Sequence, residues 1–107
     1  MSKSNFDELL CESVEEGLSA LGDSAKKVIC YHLETTFNLR MQEIPNKTKD
    51  FSFAIKALLG QGADCFQVMI LKQLYAKINK GFTLPSDEYL DFDCYVKQAA
   101  ECYLLEA

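Results

Sequence analysis

No basic run longer than the Lys26–Lys27 pair occurs in this chain, and its eleven Lys and Arg are dispersed among sixteen Asp and Glu. A phosphate-binding surface depends on clustered cations that release counterions, so a net charge of −5 argues against nucleic acid as a partner. There is a single histidine, His32, which leaves any acid–base or nucleophilic mechanism one imidazole to work with. The five cysteines, at positions 11, 30, 65, 94 and 102, form no CxxC or CxxxC pair, and their separations match no zinc pattern. Cys94 and Cys102 would stand about 12 Å apart along a helix, too far for one ion with ligand bonds of about 2.3 Å. Proline is confined to Pro45 and Pro85, and there are no repeats or low-complexity segments. No apolar run reaches the ~20 residues of a membrane span, so no membrane association is expected. Met1 to Asp7 is short and polar, unlike an export signal. An odd number of cysteines then fits buried thiols in a reducing cytoplasm.

What the chain does have is apolar content. Of its 107 residues, 49% are hydrophobic, enough for one domain over 1–107 with a core of its own. The densest stretch is Ala63 to Ile78, where eleven of sixteen residues are apolar. At helical spacing these leave no continuous polar face, because Asp64, Gln67, Lys72, Gln73 and Lys77 fall at scattered angles. A helix apolar nearly all round must be surrounded. The expected architecture is therefore all-α: about five helices in a bundle around a central apolar helix over 62–80.

The flanking helices follow from periodicity and punctuation. Asn5 is the expected N-cap of a first helix whose stripe is Leu10, Cys11, Val14, Leu18 and Leu21, ended by Gly22. Its Glu8, Glu12, Glu15 and Glu16 read as a solvated face. Asp23 or Ser24 caps a second helix with Ala25, Val28, Ile29, Leu33 and Thr36 inward, and Asn38 ends it in the left-handed region. A polar connection, 40–49, follows. In it Ile44-Pro45 is expected to be extended, with Ile44 anchoring the loop. Asn46 or Thr48 caps a third helix over 49–59, packed through Phe51, Ala54, Ile55 and Leu58. Gly60-Gln61-Gly62 makes a sharp corner and is no phosphate loop, lacking both a preceding strand and a following Lys-Ser/Thr. After Asn79-Lys80-Gly81, Phe82, Leu84 and Pro85 form an apolar connection. Ser86 caps the last helix, with Tyr89, Phe92, Val96, Ala99, Ala100 and Tyr103 inward.

These residues carry a resemblance. The pattern Tyr31-His32-Leu33-Glu34, Phe37-x-Leu39, Ile44-Pro45, Phe51-x-x-Ala54-Ile55 and Leu59-Gly60-x-Gly62-Ala63 resembles a small archaeal helical family, the Nitrosopumilus output domain. The likeness covers about Phe6 to Ile78. It implies a helical domain found alone or joined to sensory modules, hence a signalling output, and it supplies no catalytic residues.

Two kinds of site are expected. The first is an apolar excess on the central and last helices, Cys65, Met69, Tyr75, Phe82, Tyr95 and Cys102, which suits a homodimer or a protein partner. The second is a small-ligand or metal pocket near Tyr31, His32 and Cys30, although Cys30 lies about 160° around the helix from His32. No nucleophile stands with a marked base and orienting group, and no two carboxylates share an apolar face. The expected function is a non-catalytic cytoplasmic interaction or signalling-output module without a cofactor; the alternative is a sensor using the His32 pocket.

Overall fold

The structure, a computed structural model, describes residues 3–82 and 90–106; the positions expected to form the last connection and cap, Leu84, Pro85, Ser86 and Tyr89, lie outside them. The described residues form five α-helices and no strand. They are α1 (Lys3–Ala20), α2 (Asp23–Thr35), α3 (Thr48–Leu59), α4 (Ala63–Lys77) and α5 (Phe92–Glu106), with 3-10 turns at Met41–Asn46 and Gly60–Gly62. The chain is an all-α bundle, and α4 is its centre, packed against α1, α3 and α5.

Helix α1 buries Phe6, Leu10, Val14 and Leu18, one residue per turn at four-residue spacing. It begins at Lys3, so Asn5 lies inside the first turn instead of capping it. Its approach to α4 is close at Gly17, where an added Cβ would sit 3.0 Å from Ile70 Cγ1 and 3.3 Å from the Phe66 ring. Buried Ser13, one turn earlier, donates its hydroxyl to the Leu9 carbonyl at 2.9 Å. Gly22, at φ 99°, ends the helix as expected, and Leu21 stays exposed.

Asn38 takes the left-handed conformation at φ 52° after α2, and the Leu39 N–H returns to the Leu33 carbonyl at 2.8 Å. The next segment departs from expectation, since Ile44 and Pro45 both lie within the 3-10 turn. Pro45 has no N–H to give, and the turn is held by its neighbours. The Arg40 N–H donates to Glu43 Oε1 at 2.9 Å, and the Lys47 N–H to the Ile44 carbonyl at 2.9 Å. Ile44 is fully buried and pins the connection to the core.

Helix α4 departs in a more useful way. It buries Ala63, Phe66, Gln67, Ile70, Leu71, Leu74 and Tyr75 but leaves Asp64, Cys65, Lys72, Gln73 and Ala76 exposed. A continuous outer arc therefore exists. It is invisible in the polarity pattern because Gln67 goes inward, where its Oε1 accepts from Ser52 at 2.6 Å and its Nε2 donates to the Ala63 carbonyl at 3.3 Å. By length and hydropathy alone, Thr48–Lys77 passes for a membrane span. The chain instead turns at Gly60 (φ 58°), and α3 and α4 pack on each other.

Candidate functional site

The last helix is locked to the third by a buried carboxylate. Thr48 has no capping role; Lys47 precedes α3 without a side-chain cap. The Thr48 hydroxyl donates to Asp93 Oδ1 across 45 residues of chain, and Lys97 Nζ lies 3.1 Å from Asp93 Oδ2. Burial opposes ionisation of Asp93, but the Thr48 hydrogen bond and Lys97 outweigh it and hold the carboxyl below its usual range. Asp91 caps α5 by accepting the Cys94 N–H at 3.1 Å, and Phe51 meets Phe92 at 5.7 Å between ring centroids. These contacts fasten α5 to α3.

The aromatic residues expected on an α4–α5 surface stack on one another, Tyr75 buried and Phe82 and Tyr95 half-buried. Tyr75 is buried, and its hydroxyl donates to the Tyr95 carbonyl at 2.7 Å. Phe82 lies 5.1 Å from Tyr75 and 5.1 Å from Tyr95, between ring centroids. Burial first, then the neighbouring Cys102, Tyr95 and Cys94, push the Tyr75 phenol up to about 12. Cys102 is half-buried beside this stack. Cys65 is exposed and Met69 half-buried on the outer arc of α4.

The second expected site separates into two flanks of α2. Cys30 is half-buried towards α1, where burial raises its thiol above the usual value, Lys26 opposes that shift, and Glu15 and Glu34 add to it. His32 is on the opposite flank, its Nδ1 3.4 Å from the Thr36 hydroxyl and its ring edge-on to Tyr31 at 5.5 Å. It lines an open groove of about 450 Å³ between α2 and the end of α3, with Ala25, Val28, Ile29, Leu58 and Leu59 as the apolar walls. Cys30 is not among its lining residues. Among the described residues no group of three or more His, Cys, Asp or Glu is placed to hold a metal ion.

Sequence reasoning missed exposed apolar side chains on α2 and α3: Val28, on the groove wall, is 56% exposed, Tyr31 63% and Phe53 69%, and on α5 Leu105 is 86% exposed. The Phe53 ring stands edge-on to Phe37 at 6.4 Å, at the end of α2 remote from Ala25. Two signals were available. Phe51 and Phe53 lie about 200° apart on a helix, so if Phe51 faces the core Phe53 must face out. By the same spacing Tyr31 stands about 200° from the inward Ile29. Desolvating such large side chains is worth about 1.5–3 kcal/mol each, so their exposure marks a candidate contact surface.

No family model, curated protein or solved structure matches the chain.

Proposed function

We propose that this chain is a non-catalytic helical interaction module that works as a homodimer in the cytoplasm, in the signalling-output role its family resemblance implies. The observation that carries the proposal is the exposure of Val28, Tyr31 and Phe53 along α2 and α3; Leu104 and Leu105 at the end of α5 are exposed as well. The working surface is the outer side of these two helices. Cys65 and Met69 add a smaller apolar area on α4, while Tyr75, Phe82 and Tyr95 are used in closing α4 against α5. Native mass spectrometry of the purified protein tests the proposal. A dimer mass without adduct is expected, and Tyr31→Asp should shift it to monomer with helicity unchanged. A parent protein that remains monomeric at micromolar concentration refutes the homodimer.

One observation favours a second function. The groove beside His32 is apolar with one titratable group on its wall, a composition that suits a small apolar ligand. A monomer carrying extra mass, lost in His32→Ala or Leu58→Ala, would establish a ligand sensor in place of the interaction module.

A further inference from the structure

We infer that α2 pairs antiparallel with α2 of a second copy of this chain about a two-fold axis beside Tyr31; this rests on the homodimer proposed above and specifies its geometry. Lys27, Tyr31 and Glu34 are all exposed and follow one another at four- and three-residue spacing, so they lie along one line of the helix. Neither Lys27 nor Glu34 forms an ion pair among the described residues. Tyr31 lies almost midway between them. An antiparallel two-fold at Tyr31 therefore sets Lys27 of one copy over Glu34 of the other, and the symmetry makes that contact twice. The parallel arrangement sets Lys27 on Lys27 and Glu34 on Glu34, and like charges disfavour it.

The groove between α2 and α3 does not set this pairing. At helical spacing Ala25 stands about 120° round α2 from Tyr31 and about 180° from Glu34, and Glu34 acts on Cys30, on the flank opposite His32 and the groove. The charge line alone fixes the register, with Tyr31 against its symmetry mate. Its self-complementarity about one two-fold is what selects a second copy as the occupant.

A charge-reversal cycle tests the pairing, with the dimer dissociation constant read by sedimentation and folding by circular dichroism. Lys27→Glu and Glu34→Lys each create two like-charge contacts. Each is expected to raise Kd about tenfold or more at low salt, and the double variant to return within about threefold of the parent. A double variant that dimerises no better than the singles would show that these charges do not face each other; the homodimer would stand and this register would fall. Reversals without any effect would remove α2 from the interface. A monomeric parent would overturn the homodimer and the pairing together.

Discussion

Gly17→Ala sets two opposing effects against each other, and the structure decides between them. In a helix interior alanine is favoured over glycine by about 0.8–1 kcal/mol. At Gly17, however, the new methyl would lie 3.0 Å from Ile70 Cγ1 and 3.3 Å from Phe66, well inside the ~3.5–4.0 Å of ordinary carbon contact. Ile70 is fully buried and Phe66 nearly so, which limits how far either can retreat. Overpacking of this kind costs about 1–3 kcal/mol, so the net effect is a loss of up to about 2 kcal/mol. Gly17→Val adds two further methyls with one allowed rotamer and should cost about 3 kcal/mol or more. Urea unfolding followed by circular dichroism measures both. In the double variant with Ile70→Ala, the two changes should combine less than additively, by about 1 kcal/mol, because the cavity receives the methyl. If Gly17→Ala stabilises by the full propensity gain and Gly17→Val is neutral, α1 and α4 do not meet at this position.

Asp93→Ala removes the acceptor of the buried Thr48 hydroxyl and should cost about 1.5–3 kcal/mol, typical for a hydrogen bond to a charged group; equilibrium unfolding against Thr48→Val would assign the loss to that bond. Because the Asp93 carboxyl is held below its ordinary value of 3.8, its stabilisation is present above that value and is lost as pH falls through the lower folded value. An acid scan of Asp93→Asn should therefore be flatter than the parent's below pH 3.8. Tyr75 behaves in the opposite sense. With its phenol raised from 10.0 to about 12, the buried neutral hydroxyl stabilises fully below pH 10 and that stabilisation is lost as pH rises from 10 to about 12. Tyr75→Phe, monitored by thermal melts in that window, should lose this dependence; an unchanged alkaline slope would mean that the phenol is not in the folded core.

Most of the architecture was legible because local signals agreed with the global fold. Gly22, Asn38 and Gly60 take positive φ where the helices end, and Ile44 anchors its connection as its neighbours suggested. The failures share a cause: the deciding partner is distant in sequence. Gln67 reads as polar surface until Ser52, on another helix, donates a hydrogen bond to it in the core. Thr48 reads as a cap until Asp93 arrives from α5. Gly17 attracts no notice until α4 is laid against it. In α2, adjacent Val28 and Ile29 both fit the inward stripe, and periodicity does not say which is the centre. The structure turns Ile29 in and leaves Val28 on the rim.

That rotation of α2 separates the face that folds into the core from the face proposed to associate. The buried contacts that close the bundle run from α1 to α4 through Gly17 and Ile70, and from α3 to α5 through Phe51, Phe92 and Asp93. Helix α2 contributes Ile29 and Leu33 to this core, while Lys27, Tyr31 and Glu34 contribute nothing to it. Changes at an outer position without such partners usually alter stability by less than about 0.5 kcal/mol. A self-association driven by the α2 face can therefore evolve, or be engineered, without disturbing the fold. The converse holds for the α4–α5 aromatic stack. Tyr75→Asp would bury a charge beside Phe82 and Tyr95 and lower thermal stability whatever the oligomeric state. If the chain dimerises through the outer side of α2 and α3, a variant on that surface, such as Tyr31→Asp, should lose the dimer and keep its melting temperature. One that loses both says nothing about the interface.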